Sequence, residues 1–135
     1  MIKLLNMDSS ISIPDEHKRL VRKLMEHFES MGLIVTCACS GYVDCEKVKI
    51  FEPDVRAQDV RHELDYIGEA KTCGNINNQY TKQQFQEFAN RVMIRGKSIG
   101  KDVPFYIIIS KGCESELHRV LVESGLENRK NIHII

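Results

Sequence analysis

Residues 103–110 read VPFYIIIS, a nearly continuous apolar run broken only by Pro104. This run constrains the fold more than any other stretch, because a strand apolar on successive positions is buried on both faces. The segments around it carry the helical period. Leu20, Val21, Leu24, Met25, Phe28 and Met31 predict a helix from about Pro14 to Met31, with Ser12 and Asp15 to cap it, Pro14 in its first turn and Gly32 to end it. Thr81 with Gln84 reads as a capping box, and Phe85, Phe88, Ala89, Val92 and Met93 predict a second helix running to Arg95 and ending near Gly96. ESELHRVLVESG predicts a third, with Leu117, Val120 and Leu121 inward. LIVTCACS reads as a strand, GYVDCE as a turn leading to KVKIF, and NIHII as a last strand. Helices alternating with strands imply an α/β sandwich with a mixed sheet.

A chain of 135 residues suits one domain, residues 1–135, large enough to bury a core without a disulfide framework. Apolar residues at 42% and charged residues at 28% fit an ordinary soluble globular protein. No apolar run approaches a membrane span and MIKLLNMDSS lacks a signal peptide's apolar stretch, so the cytoplasm is the expected location. The formal net charge of zero counts against a strong non-specific nucleic-acid binder. Charge is nevertheless clustered, at Lys18, Arg19, Arg22 and Lys23 and again at Arg91, Arg95, Lys97 and Lys101. The blander reading of both clusters is a solvated helix face. Cys37, Cys39, Cys45, Cys73 and Cys113 form no C-x-x-C pair, so mostly reduced thiols are expected, with a bridge between two of them or a redox role as the minor alternative, and a structural zinc site is unsupported. The five histidines show no ligand spacing and read as surface or helix residues.

The chemistry-bearing strings are Pro53-Asp54 and Glu69-Ala70-Lys71. Glu69 and Lys71 are two apart, so on a strand they share a face while Ala70 turns away. The segment between them, VRAQDVRHELDYIG, reads as a strand, a polar turn around Asp59 to Glu63 and a second strand, so hairpin closure brings Asp54 toward Glu69. Two carboxylates suit a hard cation such as Mg²⁺, which takes oxygen ligands. A solvent-reachable Lys71 beside the metal would hold a phosphate oxygen or position the attacking water.

Asp54, Glu69, Ala70 and Lys71 match the PD-(D/E)xK motif of the restriction-endonuclease-like nucleases, and the order of elements over roughly residues 15 to 135 resembles theirs. Within that superfamily the chain is similar to the archaeal Holliday-junction resolvases. The resemblance implies an αβββαβ core with a mixed central sheet flanked by helices, extended by a C-terminal helix and strand. It also implies a DNA endonuclease dependent on Mg²⁺ or Mn²⁺, with the metal on Asp54, Glu69 and the Ala70 carbonyl. Gln84 or Gln83, with Gln79 and Gln86 in competition, would be the glutamine that the following helix supplies, and Glu16 the glutamate of the first helix. DNA, branched or linear, is the implied partner, with a homodimer needed to cut two strands together. Two other classes stand beside this one: an inactive nucleic-acid-binding or assembly domain of the same fold, and a thiol-based redox or regulatory protein.

Overall fold

The computed structural model describes residues 13–39 and 41–135. Among these residues, three helices flank one five-stranded sheet. In chain order these are α1 (Ile13–Ser30), β1 (Ile34–Ala38), β2 (Val55–Asp59), β3 (Leu64–Lys71), a 3₁₀ turn (Cys73–Asn75), α2 (Gln79–Ala89), β4 (Phe105–Ile109), α3 (Glu114–Glu123) and β5 (Ile132–Ile134). Spatial strand order follows chain order. β1, β2 and β3 form an antiparallel meander, whereas β3, β4 and β5 run parallel. The expected mixed α/β sheet is therefore present.

α1 carries Asp15 and Glu16 in its first turn, where the helix dipole favours carboxylates, and Gly32 ends it at φ +82°. The expected cap Ser12 lies outside the described residues. Leu20, Val21, Leu24 and Phe28 bury one face of α1 against Val55, Ala57, Ala70, Tyr106 and Ile108. The opposite sheet face packs Ile67, Phe105 and Ile107 against Phe85 and Phe88 of α2 and Leu117, Val120 and Leu121 of α3. β4 is thus covered on both sides, as its apolar run demands. Pro104 lies just before β4, so its missing N–H falls outside the strand, and its carbonyl accepts from the Ile67 N–H at 3.0 Å.

Two boundaries differ from the sequence expectation. KVKIF is not a strand: Val48 and Phe51 form only an isolated bridge, and Phe51 turns its ring into the core beside Phe88. β2 accordingly begins at Val55. α2 starts earlier and stops earlier than its pattern suggests. Asn78, not Thr81, caps it, accepting from the Thr81 N–H at 2.8 Å. At its other end the Ala89 carbonyl accepts from Arg129 Nη2 at 2.6 Å and Asn131 Nδ2 at 2.9 Å. With that carbonyl held by the C-terminal segment, the chain turns back, and Val92 bridges Asp102 in place of another helical turn.

Candidate active site

Gly68 lets α1 lie directly on β3. A Cβ there would meet Leu24 Cδ2 at 2.6 Å and Phe28 Cε2 at 3.0 Å, both in the packed layer under α1. This close approach lowers the first turns of α1 onto the carboxyl-terminal end of β3, where the acidic residues sit.

The β2–β3 ladder closes with Val55 opposite Gly68. One step further, Asp54 and Glu69 face each other beyond the last ladder pair, and each stabilises the other's strand. The Asp54 N–H donates to Glu69 Oε1 at 3.1 Å, and the Ala70 N–H donates to Asp54 Oδ2 at 2.9 Å. Hairpin closure thus brings the two acids together as the sequence suggests. Both are buried. Burial and the neighbouring Asp54 charge push the Glu69 carboxyl well above its ordinary range, against the opposing pull of Lys71. Burial also raises Asp54, but the hydrogen bond and charge of His17, with help from Ala70 N–H and Cys39, outweigh it and leave Asp54 below its usual value. The pair is therefore split, one acid readily ionised and the other holding a proton more tightly.

Lys71 Nζ lies 3.6 Å from Glu69 Oε2 and 5.8 Å from the centroid of the Tyr80 ring. Its residue is only 9% exposed, so the solvent-reachable lysine expected from sequence is instead a buried counter-charge. Glu69, Ala70 and Lys71 line a cleft of about 330 Å³ together with His17, Thr72, Asn75, Asn78, Tyr80 and Thr81. The Gly- and Asn-rich segment after β3 builds its far wall, where Asn75 Nδ2 donates to Thr72 Oγ1 at 2.9 Å and Thr81 Oγ1 to the Asn75 carbonyl at 2.7 Å.

The two helix-borne candidates lie elsewhere. Glu16 accepts from Ser110 Oγ at 2.6 Å, at the end of β4, and pairs with Arg19 at 3.3 Å. Gln84 is buried on α2, its Oε1 without a hydrogen-bond partner among the described residues, and it does not line the cleft. Its capping role passes to Asn78 because the helix begins two residues before Thr81.

Two side chains that the sequence reading passed over take the positions beside Asp54. His17 Nε2 is 3.0 Å from Asp54 Oδ2, and Cys39 Sγ is 3.1 Å from Asp54 Oδ1. The Asp54 hydrogen bond raises the His17 pKa, against burial and the Lys71 charge. A signal for His17 existed: three residues before Leu20, four before Val21 and seven before Leu24, it continues the apolar stripe back by one turn. For Cys39 there was none. It arrives because its N–H bonds the Asp54 carbonyl at 2.9 Å across strands.

The cysteine expectation is corrected as well. Cys37 pairs with Cys45 and Cys73 with Cys113, at Cα separations of 5.1 and 5.4 Å. Neither pair has redox-motif spacing; proximity comes from the bulged β1 and its following loop in one case, and from the β3 and β4 ends in the other. Comparisons of the chain with family models, with curated proteins and with solved structures give no match in any of the three. Among the described residues, no helix is long and apolar enough to cross a membrane.

Proposed function

We propose that this protein is a divalent-metal-dependent phosphodiesterase acting on DNA, built on the restriction-endonuclease-like plan that its motif and element order resemble. The observation that carries the reading is the placement of Asp54 opposite Glu69, with Lys71 beside Glu69 at the wall of one cleft. Two buried carboxylates facing each other repel unless a cation or a shared proton lies between them, and the Glu69 pKa is raised first by its burial and then by the Asp54 charge. The donor set is all oxygen and so fits Mg²⁺ or Mn²⁺.

Asp54 and Glu69 would hold the metal, with the Ala70 carbonyl the third oxygen that the family resemblance assigns. When bound, the metal supplies a more acidic water and charge stabilisation at the phosphate. Glu69 must lose its proton to serve, which raises activity with pH. Lys71, fixed between Glu69 and Tyr80, neutralises charge gathering on the phosphate oxygens and orients the attacking water. His17 covers Asp54 and must give up its hydrogen bond when the cation enters. Beside the cleft, Arg19, Lys23 and Lys111 line a groove at Ser110, a path for an anionic strand along α1. A second copy of the chain would be needed for concerted cutting of both strands. The two disulfides count against the cytoplasmic location expected from sequence, since thiols there are kept reduced, and fit an oxidising compartment better.

The test is cleavage of linear, nicked, single-stranded and four-way-junction DNA, and of RNA, with Mg²⁺ or Mn²⁺. The reading expects metal-dependent products on at least one substrate and none from Lys71→Ala. Equal cleavage by Lys71→Ala would remove the lysine from the chemistry, and no cleavage of any substrate would favour the inactive binding domain.

A further inference from the structure

Asp54 is flanked on one oxygen by an imidazole and on the other by a thiol. His17 Nε2 lies 3.0 Å from Oδ2 and Cys39 Sγ 3.1 Å from Oδ1. The nitrogen, sulfur and oxygen atoms all fall within 4.8 Å of one another. They come from three separate elements: α1, the residue after β1, and the residue before β2. None of the three is tied to the others by sequence spacing, which is why no ligand motif is visible in the chain. Gly68 fixes the height of α1, the Cys39 N–H to Asp54 carbonyl bond fixes the thiol, and the Ala70 N–H fixes the carboxylate. The donors are held before any ion arrives.

We propose that His17, Cys39 and Asp54 form a binding site for a borderline-soft transition metal, Zn²⁺ or Co²⁺, distinct in ligand chemistry from the all-oxygen Mg²⁺ site proposed above. Mixed imidazole, thiolate and carboxylate sets are favoured by Zn²⁺ and Co²⁺ and poorly suited to Mg²⁺. On binding, the Cys39 thiol loses its proton to solvent, as does the His17 ring if it is charged, and the metal replaces the two contacts that now reach Asp54. Three protein ligands leave one tetrahedral position for water. The Ala70 N–H stays on the carboxylate as an outer hydrogen bond that orients it. His17 is partly exposed and gives the ion a way in. Because Asp54 belongs to both sites, a bound Zn²⁺ would exclude Mg²⁺. The Zn²⁺ site itself does not rest on the nuclease reading.

The test is titration of the full chain, purified without reductant so that both disulfides stay closed, with Co²⁺ as a spectroscopic substitute for Zn²⁺. A single bound ion should give a sulfur-to-cobalt charge-transfer band and the intense visible bands of a four-coordinate site, both bleached by Zn²⁺. Cys39→Ser should remove the charge-transfer band. His17→Ala should weaken binding by more than the ~10–100-fold typical of losing an outer hydrogen-bond partner. Circular dichroism of each variant confirms folding, and Cys39→Ala gives a second thiol-free chain. Absence of the band in the native chain overturns the proposal, as does a band that persists without Cys39. No nucleic acid enters the experiment, so a chain that binds Co²⁺ this way but cuts nothing would overturn only the nuclease reading.

Discussion

Lys71 and Glu69 show how far a motif alone can be read. Their shared face and their nearness to Asp54 follow from the period of a strand and the closing of a hairpin, and both hold. Their burial does not follow, because it depends on α1 and on Tyr80, far apart in the chain. Burial gives Glu69 a sign that can be measured. Its folded pKa lies above the unfolded carboxyl value of about 4.3, so the fold holds this proton more tightly than the unfolded chain does. The stability contributed is full below the unfolded value and is lost as pH rises through the folded one. Without metal, the melting temperature should therefore fall on raising the pH through the folded Glu69 value, and Glu69→Gln should flatten that fall. Mg²⁺ should restore the loss in the native chain and not in the variant. Superimposable pH profiles for the two proteins would mean that Glu69 is not held as described. His17 was legible one turn before the apolar stripe and was passed over because histidine has no ligand spacing here; Cys39 was not legible, since a backbone bond to a residue fifteen positions away places it.

At the level of elements, hydrophobic period located each helix among the described residues but not every end. α2 stops at Ala89 because Arg129 and Asn131 take its last carbonyl, and no local pattern announces a partner forty residues downstream. Val92, which fits the helical stripe, is instead exposed, while Phe88 is fully buried between Phe51 and Phe105. Phe88→Ala should cost about 3–5 kcal/mol in denaturant unfolding, whereas Val92→Ala should stay within about 0.5 kcal/mol. Similar losses at both positions would contradict the early end of α2. KVKIF failed as a strand for a related reason: Phe51 contributes to the core layer under α2, so its segment leaves the sheet. The contact of α1 with β3 offers another test. Gly68→Ala places a methyl against Leu24 and Phe28, and such overpacking should destabilise by about 1–3 kcal/mol. It should also move His17 off Asp54, seen as a fall in the His17 pKa by NMR titration. An unchanged titration would show that α1 height does not control the site.

For the whole molecule, length and alternating periods sufficed to anticipate one mixed α/β sheet with helices on both faces, while the pairing of four cysteines escaped. Disulfides depend on where loops meet in space, and counting cysteines could not decide it. The Cys73–Cys113 bridge spans 40 positions and ties the cleft wall after β3 to the start of α3; the Cys37–Cys45 bridge spans only 8. Loop-closure entropy then ranks them, the longer loop contributing more and each contributing about 2–4 kcal/mol. Reduction with a phosphine should lower the melting temperature, and a Cys73→Ser/Cys113→Ser chain should account for more of the loss than Cys37→Ser/Cys45→Ser. Equal melting with and without reductant would mean that the bridges do not form in solution.

The proposed chemistry rests on the Asp54–Glu69 pair and the lysine beside it. The most direct measurement is the single-turnover rate of DNA cleavage as a function of Mg²⁺ concentration, for the native chain, Asp54→Asn and Glu69→Gln, using whichever substrate the native protein cuts best. The expected result is saturable Mg²⁺ dependence in the native chain and a loss of about 10²-fold or more in each folded variant. Cleavage by either variant at the native rate and the native Mg²⁺ dependence would contradict the account.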